Sequence, residues 1–254
     1  MKALAWIACL ATASAADFER ELSADRPDAT ESPYTVEPGR FQVETSLWAF
    51  SRDREAGVET RTWSVAETNF KIGLAADHDL QLVLRPWVRE SLRGLGRGEA
   101  EGFGDIELRW KWNLWGNAGG RTALGVMPFV SVPTRTAVSS GEWEGGVILT
   151  WATELPAGWG LGVQGEVDRG WDDASRRHEW DFLHTLVIGR DLTERAGIYL
   201  EYIGVAGAHP YEASLSGGLT VAIGADLQLD LGGTYGLNDA AEDFSIFQGF
   251  TYRF

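Results

Sequence analysis

Glu107, Arg109 and Lys111 stand at alternate positions, with Leu108 and Trp110 between them. Gln164, Glu166 and Asp168 repeat that spacing, and Gln228 and Asp230 begin it again. Successive side chains of an extended chain point to opposite faces, so the members of each set share one face. Charges of both signs on one face can neutralise each other across neighbouring strands. A ring of them around an aqueous passage sorts solutes by width and charge with no covalent step. Glu44, Arg85 and Glu201 complete the candidates for such an inner wall. The plainer reading of each residue is a charge pair that braces the wall and never touches a solute.

The four histidines make no comparable pattern. A nucleophile, its base and the group that orients the base must meet in space. Along the strand face of His184 the neighbours are Phe182 and Leu186. His178 follows Arg176 and Arg177, with Asp172, Asp173 and Ser175 nearby, and reads as a solvated loop. His78 falls in a short turn, and His209 precedes Pro210. No enzymatic role is expected. Nor is a cofactor or a metal cluster of known ligand spacing. The run from Gly94 to Gly98 is glycine-rich but lacks the strand–turn–helix setting that phosphate binding requires.

What positions an alternating charge row must itself alternate. In the segment 105–114, Ile106, Leu108, Trp110, Trp112 and Leu114 form the opposite, apolar row. Similar segments fall at 40–50, 60–74, 79–89, 122–132, 145–154, 160–169, 179–189, 196–204, 214–224, 227–236 and 244–254. Segment 179–189 carries apolar residues on both faces, which suggests a bulge or a register error there. The connections alternate too. Short ones at 75–78, 115–121, 155–159, 190–195 and 225–226 interleave with longer, charged ones at 51–59, 90–104, 133–144, 170–178, 205–213 and 237–243. Outer-membrane barrels sort their loops in this way. A strand of about ten residues tilted near 45° spans the hydrocarbon layer, and an open sheet in lipid would leave backbone groups unpaired. Trp48, Trp87, Trp115, Trp143, Trp159 and Trp180 fall near the expected strand ends, where interfacial rings sit.

The two ends of the chain agree. Residues 1–16 read as a Sec-type signal peptide, with Lys2, a short apolar core and Ala13-Ser14-Ala15 before the cut. The only cysteine, Cys9, lies within it, so disulfides, thiolate metal sites and cysteine nucleophiles are excluded from the mature chain. The last strand carries Phe250, Tyr252 and the terminal Phe254 on one face, which resembles the sorting label read by the outer-membrane assembly machinery. A net charge of −15 removes the basic face that nucleic acid needs.

The stretch from Asp25 to Glu44, Gly104-Asp105 leading into the charged strand, and the Phe-rich end resemble the outer-membrane transporters of the "MetA pathway of phenol degradation" family. The resemblance implies an outer-membrane barrel with a channel or uptake role, some members being linked to aromatic catabolism. It does not name a solute. Pro27, Pro33 and Pro38 forbid regular pairing before the first strand. Asp25, Arg26, Asp28 and Glu31 can then pair with charges inside the pore as a plug at the periplasmic mouth, or the segment only leads into the first strand.

The expectation is therefore an all-β protein, a closed antiparallel up-and-down transmembrane β-barrel of about twelve strands. Residues 1–16 are the signal peptide, 17–39 an irregular segment, and 40–254 the barrel. The barrel is expected as a monomer in the Gram-negative outer membrane, in contact with lipid, its assembly machinery and a small-molecule solute, and not with nucleic acid. The expected role is passive uptake of small solutes, hydrophobic or aromatic ones among them. A closed-lumen structural or adhesive barrel is the alternative, and an outer-membrane hydrolase comes third.

Overall fold

A computed structural model describes residues 20–94 and 97–254. The signal-peptide assignment for 1–16 and part of the Gly94–Gly98 run lie outside the described residues. Fourteen strand segments follow in chain order: β1 (Phe41–Glu55), β2 (Val58–Ala75), β3 (His78–Leu84), β4 (Trp87–Gly94), β5 (Gly98–Gly102), β6 (Ile106–Trp115), β7 (Thr122–Val132), β8 (Glu144–Leu155), β9 (Trp159–Asp172), β10 (Arg177–Asp191), β11 (Ala196–Ala206), β12 (Glu212–Ile223), β13 (Leu227–Gly236) and β14 (Phe244–Arg253). Every pairing between these strands is antiparallel, and β1 joins both β14 and β2, so the sheet closes on itself. The β2 strand pairs with β3 along one half and β4 along the other. These two are therefore one stave interrupted at Arg85-Pro86. Likewise β5 and β6 are one stave interrupted at 103–105. Twelve staves result.

The wall is inverted relative to a soluble protein. Leu108 and Trp110 are 42% and 46% exposed, whereas Gln81, Thr150, Glu201 and Thr251 are completely buried. Apolar rows face outward to lipid and polar rows face a crowded interior, the arrangement a membrane barrel requires. On β14, Thr251 and Arg253 point inward, and Phe254 stacks outside against Phe41 and Tyr252, each at 5.7 Å.

The connections depart from the sequence reading. The expected long loops at 51–59, 90–104 and 170–178 are largely hairpin extensions: β1 runs to Glu55 before β2 starts at Val58, β4 to Gly94 before β5 starts at Gly98, and β9 to Asp172 before β10 starts at Arg177. Polarity on both faces marks strand that stands beyond the hydrocarbon, not the absence of strand. Because β1 runs on to Glu55, Trp48 sits mid-strand, its indole N–H donating to Gln248 Oε1 at 3.1 Å, and not at a strand end. The bulge expected in 179–189 is absent, since β10 keeps unbroken register with both neighbours. Slips occur instead between Ser46 and Trp48, Gly73 and Ala75, and Asn113 and Trp115. The first slip lies opposite Ala66, which takes φ of 59°. One stave further on, Pro86 has no N–H to give to the ladder. Gly104 N–H nevertheless reaches Arg85 O at 2.9 Å.

Residues 20–38 pass inside the wall before β1 begins. Their backbone approaches β2 and β7 so closely that a Cβ on Gly73 would lie 2.0 Å from Glu37 O, and one on Gly125 would lie 3.0 Å from Pro33 Cα. Only glycine leaves that space. Both arms of the inner segment return to the short-turn end of the barrel, where Arg20 N donates to Glu37 Oε1 at 3.0 Å and Arg253 Nη1 to Arg20 O at 2.9 Å.

Candidate functional site: the barrel interior

The centre of the interior is an ion-pair lattice formed where the inner segment meets the wall. Lys111 Nζ lies 2.8 Å from each carboxylate oxygen of Asp25. Lys71 Nζ pairs with both Asp25 and Glu44, and Asp25 N–H donates to Glu44 Oε1 at 3.1 Å. Arg109 pairs with Glu31 and Glu107, and Lys111 stands 4.0 Å from Glu31. Lys71, Lys111 and Glu44 are each nearly inaccessible. A buried charge is tolerable only when paired and hydrogen-bonded, so each cation here fixes a carboxylate of the segment to the wall.

Further round, the segment is held by acceptors on β13, β11 and β9. Arg26 makes a bidentate contact with Asp230, at 2.7 and 3.1 Å. Glu201 accepts from Ala29 N, Thr30 N and Thr30 Oγ1 at 2.9, 2.8 and 2.7 Å. Glu31 N donates to Gln164 Oε1 at 2.7 Å, and Gln164 Nε2 donates to Glu166 Oε2 at 2.8 Å. On β3, Asp79 Oδ2 accepts from Val36 N at 3.0 Å. These partners come from opposite sides of the barrel. A segment touching all of them lies across the lumen.

The electrostatics follow from the crowding. Burial opposes ionisation of Asp25, yet the Lys111 and Lys71 ammonium groups outweigh it and hold its carboxyl below the usual range. Burial, with Asp25 beside it, pushes Glu31 up to about 7 despite its contact with Arg109. Burial and the Glu201 carboxylate raise Asp28 well above its ordinary value. More carboxyls than cations share this space.

The segment partitions the interior. On the short-turn side lies a cavity of about 1100 Å³ that includes Arg20, Tyr34, Val187, Tyr199 and Arg253 in its lining. Towards the long-turn end is a smaller one of about 320 Å³, bounded by Glu44, Glu67, Arg109, Thr234 and Phe247. Arg26, Pro27, Asp28 and Glu31 line both.

Of the wall residues named from sequence, Glu44, Glu107, Arg109, Lys111, Gln164, Glu166, Glu201 and Asp230 all lie in these networks. Asp168 neighbours Glu166 on β9, and a Cβ on Gly146 would lie 2.4 Å from its Oδ1. Arg85 sits at the stave interruption and pairs with Glu67 at 3.2 Å. Sequence reading passed over Gln42, Lys71, Asp79 and Gln81, all of them buried. The signal was present. Phe70 and Ile72 flank Lys71 just as Trp110 and Trp112 flank Lys111.

A family model described as "Putative MetA-pathway of phenol degradation" matches residues 24–254. Among solved structures, the chain is similar to a COG4313 outer membrane channel from Pseudomonas putida F1, with TM-score 0.65 and 15% identity, over 86% of this chain and 96% of that one. The translocator domain of the autotransporter NalP from Neisseria meningitidis superposes with TM-score 0.56 and 12% identity, over 86% and 90% of the two chains. The β domain of the Bordetella autotransporter BrkA gives TM-score 0.54 and 15% identity, over 84% and 98%. No curated protein matches the chain at the sequence level. At these identities the structural likenesses establish the fold, an outer-membrane barrel.

Proposed function

We propose, because the chain belongs to the MetA-pathway of phenol degradation family, that it is an outer-membrane channel through which small solutes enter by diffusion. The observation that carries this reading is the pair of cavities within one closed wall, separated only by a segment held through side chains. The segment acts as the constriction. Tyr34 and Tyr199 give the larger cavity aromatic faces, and Arg20 and Arg253 bring guanidinium groups to it. That lining, in which carboxylates also stand, suits small aromatic solutes carrying a polar group.

The role we read is transport, in keeping with the family the chain belongs to. The chain acts as a monomer after export and insertion, with Phe250, Tyr252 and Phe254 as the label read at assembly.

Liposome swelling over a size and polarity series of solutes, with wild type beside a variant lacking 20–38, tests the reading. The wild type should admit small solutes and exclude large ones, and the deletion should abolish that cut-off. A closed-lumen structural barrel is the second reading, favoured by the density of the Asp25–Lys71–Lys111–Glu31–Arg109 lattice. It requires swelling with the deletion alone. Silence from both proteins would overturn the channel.

A further inference from the structure

At the long-turn rim, on the inward-facing rows of β9 and β10, three elements bring three ligand-bearing side chains together. The β9 strand ends at Asp172, β10 presents Glu179 opposite Gly170, and the loop 207–211 lays His209 over both. His209 Nε2 is 2.9 Å from Asp172 Oδ2 and 3.5 Å from Glu179 Oε2. All three atoms lie within 4.8 Å of one another.

The neighbours orient these atoms. Asp172 Oδ1 accepts from Ala174 N and Ser175 N at 2.5 and 2.9 Å, which turns Oδ2 toward His209. Glu179 is only 9% exposed. Its Oε1 accepts from Arg177 Nε at 2.9 Å, while its Oε2 is buried and has no hydrogen-bond partner among the described residues. A buried carboxylate oxygen left unsatisfied is costly. This one points at the imidazole and the second carboxylate.

We infer that Asp172, Glu179 and His209 form a binding site for a divalent transition-metal ion of the Zn²⁺ class. Zinc bonds imidazole nitrogen and carboxylate oxygen at about 2.0–2.2 Å, so tetrahedral ligand atoms stand about 3.3 Å apart. The two observed separations bracket that value. One imidazole with two carboxylates suits zinc or copper better than calcium or magnesium, which take oxygen alone. His209 is 59% exposed, which leaves the solvent side open for a water as fourth ligand. Residues 172, 179 and 209 have no motif spacing, which is why the sequence reading found no metal cluster. The rival account is a protonated His209 that ion-pairs with both carboxylates and needs no metal.

Zinc chloride titrated calorimetrically into the folded mature barrel, with millimolar calcium chloride occupying scattered carboxylates, separates the two. One equivalent should bind. His209→Ala and Glu179→Gln should each weaken it by at least the roughly 10–100-fold that loss of a supporting partner costs a metal site. Should the variants fail to fold, modification of His209 by diethyl pyrocarbonate in wild type, followed by peptide mass spectrometry, gives the answer. Zinc should slow it. Absence of saturable zinc binding, binding by both variants as tight as by wild type, or an unchanged modification rate would each overturn the site.

Discussion

Replacing Lys111 with alanine removes one of the two ammonium groups that hold Asp25 in the centre of the lumen. Lys111 is 1% exposed and lies 2.8 Å from both oxygens of that carboxylate. At an effective dielectric of about 20, opposite charges about 2.8 Å apart attract by about 6 kcal/mol. Removing one partner of a buried pair costs about 3–5 kcal/mol once relaxation is allowed for. The wall keeps its ladder hydrogen bonds, so this cost falls on docking of the inner segment and not on the barrel. At about 4 kcal/mol, the undocked fraction should rise about 10³-fold. Val36, 7% exposed and in the returning arm of the segment, is the place for a reporter. In a Cys9→Ser background, Val36→Cys should react with a maleimide only when the segment leaves. Its labelling rate should rise about 10³-fold in Lys111→Ala, and Asp25→Asn added to Lys111→Ala should recover part of the loss through the coupling of the pair. A folded Lys111→Ala barrel labelled within about threefold of wild type, as for an ordinary surface substitution, would refute the reasoning.

Three further outcomes are expected. Docking should depend on pH through Glu31, whose docked carboxyl is pushed up to about 7. A group raised on docking stabilises the docked state fully below its free value near 4.5 and loses that contribution as pH rises through 7. The Val36→Cys rate, divided at each pH by that of a free model thiol to remove the thiolate's own pH dependence, should therefore climb over that interval and flatten in Glu31→Gln. Asp25 shifts the other way, so its contribution is lost only in stronger acid. Leu108→Arg places a charge on the lipid face and should destabilise the barrel by about 2–4 kcal/mol if it lies near the midplane, read by denaturant titration in vesicles. Asp105 holds the 133–143 loop by accepting from Thr134 N and Ser140 N, both at 2.9 Å, and from Ser140 Oγ at 2.8 Å. Asp105→Ala should speed tryptic cleavage at Arg135, and Asp105→Asn, which keeps one acceptor, should do so less.

The barrel was legible because its signal is local: period two runs along each segment, and one apolar row per segment has only lipid to face. The upper end of β1 and the last residues of β9 were not. Arg52-Asp53-Arg54 is polar on both faces, so no row marks it as strand. In β10, Leu183 and Val187 face the interior and Phe182 and Leu186 face lipid. Apolar residues on both sides imitated a bulge. Inner-wall charges could be named one by one, but their partners could not. Asp25 and Lys111 are 86 positions apart, Arg26 and Asp230 204, and only closure of the sheet brings them together. His209 escaped for the same reason, since its carboxylates belong to another hairpin.

The staves differ greatly in height. β2 has 18 residues and β13 has 10. At about 3.3 Å per residue and a tilt near 40°, that difference lifts one side of the cylinder by about 20 Å. A spanning strand needs only about ten residues, so the surplus on β1 and β2, and a smaller one on β9 and β10, stands clear of the bilayer as a parapet. The rim is therefore uneven, with a low lip at β13 between the two tall hairpins. Molecules gathered at the membrane surface on that side meet the entrance after a shorter climb than those arriving over the parapet.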